Sequence, residues 1–164
     1  MIKQPYKRIL VALLKELKKE FDANLVSVVV YGSVARGTSR KDSDVDLLII
    51  CEDLPRSQLE RLEIFSNAEK NIEELFDEQF AKGYFPSLMP ILKTRREAEG
   101  ISPLYLDMIE DALMLYDRGS FFENILGDMR RRLKELRSKR VWIGERWFWD
   151  LKPDYKKGDV IVIE

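Results

Sequence analysis

Apolar residues recur at helical spacing through the first part of the chain: Tyr6, Ile9, Leu10, Leu13, Leu14, Leu17 and Phe21, with Lys and Glu between them. A period of roughly 3.6 residues lines such positions up on one stripe, so the spacing predicts an amphipathic helix that packs on a core. After a turn at 22–24 the period changes. Leu25 to Val30 and Leu47 to Cys51 are short, β-branched runs bounded by turn formers, the pattern of buried strands. Between them, Val34 to Gly37 can start a short helix.

Pro55 suits the first turn of the next helix, whose predicted stripe is Leu59, Leu62, Phe65, Ile72, Leu75 and Phe76. Tyr84 to Thr94 contains a further strand. Pro86 and Pro90 interrupt it, and proline belongs on an edge strand or at a bulge because it donates no ladder hydrogen bond. Ser102-Pro103 reads as a cap and a first-turn proline. The helix it predicts runs through Leu104, Leu106, Met108, Ile109 and Leu113, with Asp107, Glu110 and Asp111 on its solvated face. Gly119 marks a boundary. Beyond it, Phe122, Ile125, Leu126, Met129, Leu133 and Leu136 predict another amphipathic helix. Its end carries Arg130, Arg131, Arg132, Lys134, Arg137, Lys139 and Arg140, the solvated, dipole-compatible end of a helix before it is a nucleic-acid surface. Val141 to Ile143 and Arg146 to Trp149 flank Gly144-Glu145 as a hairpin that holds all three tryptophans, and Val160 to Ile163 reads as a terminal strand.

The elements together predict an α/β (α+β) fold. A mixed sheet has helices mainly on one face, followed by a C-terminal helix and a Trp-rich extension. The division expected is a core over 1–117 and an extension over 118–164 packed on it. A chain of 164 residues suffices for one ordinary core. Charged residues make up 35%, but they nearly cancel to a net charge of −1, which disfavours a generally basic nucleic-acid binder. The chain has no histidine, so His-based catalysis and His-ligated zinc are excluded. Cys51 is the single cysteine, so no intrachain disulfide forms and a reducing cytoplasm is the expected compartment. No apolar run reaches the length of a membrane span, and no signal peptide is expected.

Chemistry gathers between the first two strands. Gly32-Ser33 forms a turn whose backbone N–H groups suit a phosphate. Asp44-Val45-Asp46 opens the second strand. Side chains alternate there, so both carboxylates share a face, roughly 7 Å apart along the chain at about 3.3 Å per residue. Paired carboxylates suit a hard divalent cation such as Mg²⁺ or Mn²⁺. A phosphate cradle beside a metal clamp points to phosphoryl chemistry on a nucleotide. Arg36 lies between them and suits nucleotide phosphates. Ser43, just before the carboxylates, suits a supporting hydrogen bond.

Gly32-Ser33, ten residues, then Asp44-x-Asp46 resembles the signature of the DNA polymerase β-like nucleotidyltransferase superfamily. With Ala35-Arg36-Gly37 and Ser43-Asp44-x-Asp46-Leu47, the string resembles its minimal nucleotidyltransferase (MNT) branch. The resemblance covers roughly 9–117. It implies transfer of NMP from a Mg–NTP, with ATP the expected donor, to an acceptor hydroxyl with release of pyrophosphate. Asp44 and Asp46 would be the catalytic and metal-binding residues, and Gly32, Ser33, Arg36 and Ser43 the nucleotide-binding ones. It also implies a third carboxylate on the 84–94 strand, where this sequence has no Asp or Glu. Three readings follow: another acid reaches in, one cation suffices, or the protein binds nucleotide without turnover. The resemblance further allows an antitoxin role toward a HEPN-type partner. A partner protein or a homodimer would supply what a small core lacks.

Overall fold

The computed structural model describes residues 2–144 and 146–160. Helix α1 (Tyr6–Phe21) leads into strand β1 (Leu25–Tyr31), a short helix α2 (Gly32–Arg36) and strand β2 (Asp44–Cys51). Helices α3 (Gln58–Lys70) and α4 (Glu73–Phe80) precede β3 (Ser87–Thr94) and α5 (Arg95–Glu99). After a 3₁₀ turn at Pro103–Asp107 come β4 (Leu113–Asp117), α6 (Phe121–Glu135) and the strands β5 (Lys139–Ile143) and β6 (Arg146–Asp150).

The main sheet has the order β3-β2-β1-β4, with β1 antiparallel to β2 and β4, and β3 parallel to β2. Strand β1 is buried along its whole length. This follows from layering. One set of strand side chains, including Val28, Val30, Val45, Leu47 and Ile49, packs against α1, α3 and α4. The alternate set, including Val26, Val29, Leu48 and Ile50, packs against Tyr105, Met108 and the α6 residues Phe122, Leu126, Met129 and Leu133. Strands covered on both sides favour apolar residues on both faces, which is why Leu25–Val30 and Leu47–Cys51 read as nearly continuous apolar runs, broken only by Ser27. Asp117 ties the layers together. It accepts from Ser27 Oγ at 2.6 Å and from the amides of Phe122 and Glu123 at 3.1 and 3.0 Å, capping α6.

Several expectations shift. The helix expected from Pro55 starts at Gln58 under a Ser57 cap, and it breaks at Asn71–Ile72 into α3 and α4. The stripe is also turned. Leu59 and Leu62 face solvent, whereas Arg61 is buried with Phe65 and Ala68. Arg61 is held inside by Glu97, with N–O distances of 2.7 and 2.9 Å, and by the carbonyls of Pro55 and Leu92. The 102–113 helix is instead a 3₁₀ turn, and Leu113 belongs to β4, where pairing with β1 outweighs helical spacing. Strand β3 lies at the sheet edge, as its prolines predict. The hairpin forms, with Trp142 opposite Trp147. Of the predicted terminal strand, residues 161–163 lie outside the described residues. No helix among the described residues is long and apolar enough to cross a membrane.

Candidate active site

The site lies where β1 ends and β2 begins. Tyr31 pairs with Asp46 across the two strands, and the next residue is Gly32, with φ 73°. A Cβ on Gly32 would overlap Asp46 Oδ2 and come within 3.1 Å of its Cγ. Glycine is therefore required twice here, for the left-handed backbone and for the carboxylate lying directly against it. Helix α2 then turns the chain back, and Gly37, with φ 74°, ends it. The loop to Asp44 is held at several points. Thr38 N donates to Ser33 O at 3.0 Å, Arg40 N to Ser43 Oγ at 2.8 Å and Phe85 N to Lys41 O at 2.7 Å. The Tyr6 hydroxyl donates to Arg40 O. Ser43 thus braces the loop, its hydroxyl accepting from the Arg40 amide, while Asp44 faces solvent.

Asp44 and Asp46 alternate with Val45, which packs in the α1 layer, so both carboxylates point to the opposite face. Burial raises the pKa of Asp46, the charge of Asp44 raises it further, and Arg36 pulls it down. Tyr31 beneath them is pushed up to about 12, chiefly by burial. Arg36 is therefore close enough for its charge to act on Asp46.

In parallel pairing, Asp44 stands opposite Ser87 and Asp46 opposite Met89. Neither position can supply an acid. The further carboxylate whose charge reaches Asp46 is Asp107, at the end of the 3₁₀ turn whose Tyr105 packs in the α6 layer. Its charge raises both Tyr31 and Asp46, and its own pKa is raised by desolvation and lowered by Arg36 and Arg140. The sequence predicts Asp107, Glu110 and Asp111 on the solvated face of a helix; Asp107 and Glu110 are indeed exposed, but a 3₁₀ turn replaces the helix and Asp111 is partly buried. Glu110 and Asp111 are gripped by Arg140, at 2.5 and 2.9 Å, and Asp111 lies 3.9 Å from Arg36. Spacing gave no signal for these three, because a helix was assumed where the chain turns.

Among the described residues no three Asp, Glu or Cys side chains converge closely enough to hold one metal ion. What is present is a pair of hard oxygen donors, one of them, Asp46, lying directly against the Gly32 backbone. That donor set fits Mg²⁺ or Mn²⁺ when phosphate oxygens and water complete the shell.

The profile of the family described as nucleotidyltransferase domain matches residues 10–101. A Methanocaldococcus jannaschii protein named as a protein adenylyltransferase is 30% identical over 145 residues, covering 87% of this chain and 92% of that one. Among solved structures, a toxin–antitoxin with AMP-PNP covers 77% of this chain and 91% of its own, at 18% identity and a TM-score of 0.48. Spectinomycin adenyltransferase AAD(9) from Enterococcus faecialis, solved with ATP and spectinomycin, covers 80% and 66% at 15% identity and a TM-score of 0.43.

Proposed function

The chain belongs to the nucleotidyltransferase domain family, and from that membership we propose that it moves an adenylyl group from ATP to a hydroxyl on a partner protein. The acceptor oxygen bonds to the α-phosphorus, the bond from that phosphorus to the β-phosphate bridge breaks, and pyrophosphate leaves. The acceptor proton passes to a carboxylate or water at the site. The name of the Methanocaldococcus relative supports AMP as the group moved and protein as the acceptor class.

The observation that carries the reading is the contact between the Gly32 backbone and the Asp46 carboxylate, with Asp44 on the same face. Gly32 and Ser33 receive the phosphates in this reading, Asp44 and Asp46 hold the cation, and Arg36 binds triphosphate oxygens. Ser43 keeps the loop in shape, and through it the cradle. Mg²⁺ or Mn²⁺, when bound, offsets negative charge developing on phosphate oxygens. The chain's own work is positioning and electrostatics. The cytoplasm, which supplies ATP and keeps the buried Cys51 thiol reduced, is the compartment this reading requires.

The test is transfer of label from α-labelled Mg·ATP to protein, with pyrophosphate release measured in parallel. Asp44→Asn and Asp46→Asn are expected to lower transfer by about 10³-fold or more, with the fold intact by circular dichroism. Labelling by either variant at the parent's rate would reject the assignment. A second reading, nucleotide binding without turnover, is favoured by Ser87 and Met89 standing opposite the acids. Mg·AMP-PNP binding by calorimetry, with no pyrophosphate released, would select it.

A further inference from the structure

Among the described residues, Arg140 links the Trp-rich hairpin to the candidate site. Arg140, on β5, is 9% exposed. Its guanidinium lies 4.3 Å from the ring centroid of Trp147 and 4.9 Å from that of Trp142. One terminal nitrogen bonds Glu110 at 2.5 Å, and the other bonds Asp111 Oδ2 at 2.9 Å. That same Asp111 oxygen is 3.9 Å from Arg36. One carboxylate oxygen therefore faces two arginines, at hydrogen-bond distance to one and at the limit of an ion pair to the other.

A mere staple between hairpin and core would not need this group. Burying a guanidinium is costly, and here its Nε is buried without a hydrogen-bond partner. An apolar side chain between the two tryptophans would pack at less cost. The charge has a use if it occupies Asp111. Ion-pair attraction rises as the distance shortens and as water is excluded, so the close, buried Arg140 holds Asp111 more strongly than Arg36 does. We infer that Arg140 is a positioning residue: by engaging Asp111 it leaves the Arg36 guanidinium free for the triphosphate, so that a strand outside the matched 10–101 region sets nucleotide affinity. The inference rests on the adenylyl-transfer reading, in which Arg36 meets the phosphates. Without Arg140, Asp111 would close on Arg36 and draw it from the nucleotide.

The measurement is the Kd of the full chain for Mg·AMP-PNP by calorimetry, for parent, Arg140→Met, Asp111→Asn and the double variant. Arg140→Met is expected to weaken binding about ten-fold, Asp111→Asn alone to change it less than about three-fold, and the double variant to return near the parent, a coupling that separate effects cannot produce. Arg140→Lys, the milder change, is expected to weaken binding about three-fold, again reversed by Asp111→Asn, and it decides the matter if the Met variant does not fold. Equal effects of Asp111→Asn in both backgrounds would mean simple charge addition and would overturn the inference. So would a fall in melting temperature with Kd unchanged. Parent protein that does not bind Mg·AMP-PNP would instead remove the adenylyl-transfer reading underneath it.

Discussion

Asp46 concentrates the tension of the site. Burial and Asp44 both disfavour its charge, so its folded pKa lies above the 3.8 it has when free. Between those two values the folded chain binds more protons than the unfolded chain, so stability falls as pH rises through that window, and the loss persists at neutral pH. A bound cation reverses the balance. Asp46→Asn should therefore stabilise the metal-free protein by about 1 kcal/mol at pH 7, the scale typical of relieving strain at a functional site. The same change should abolish the rise in melting temperature that Mg²⁺ gives the parent. Differential scanning calorimetry with and without Mg²⁺ checks both, and a destabilised variant would contradict the account. The neighbouring Gly32 follows the same logic, because no side chain fits between its backbone and that carboxylate.

Among the elements, α3 shows how a charged residue can be core. Arg61 and Glu97 join α3 to α5, and Glu97 is pulled down to about 2, chiefly by the hydrogen bond from Arg61. A lowered carboxylate contributes stability in full above its free value of 4.5 and loses it as pH falls toward about 2. Arg61→Ala should cost about 3 kcal/mol in urea unfolding at pH 7, since it strands two carbonyls and leaves a cavity. The gap between variant and parent should narrow as the pH falls toward 2, and a constant gap would rule out the ion pair as its source. Helical periodicity pointed Leu59 and Leu62 inward instead. Nothing local in the sequence says that Arg61 will meet a carboxylate 36 positions away.

For the whole molecule, the question is whether the C-terminal part behaves as an appendage. Helix α6 supplies Phe122, Leu126, Met129 and Leu133 to the second layer, and Trp149 Nε1 donates to Leu106 O at 3.1 Å. All three tryptophans lie on β5 and β6, so their fluorescence reports the hairpin alone, whereas far-ultraviolet circular dichroism reports the helices and the sheet. The two thermal transitions should share a midpoint to within about 2 °C if hairpin and core unfold as one unit. A separate, lower fluorescence transition would mean that the hairpin melts independently.

The sequence by itself determined the buried strands, the first helix and the Gly-Ser to Asp-x-Asp string, because each depends on neighbours within a few residues: alternation, a turn and a fixed rise per residue. It also determined the absence of an acid on β3. Only the tertiary structure decided what stands across the gap. The charge of Asp107 is felt at Asp46, Arg61 turns inward toward Glu97, and Arg140 takes hold of Asp111 beside Arg36. These are encounters between residues far apart in the chain. Sheet order and layer packing bring them together, and no local period records them.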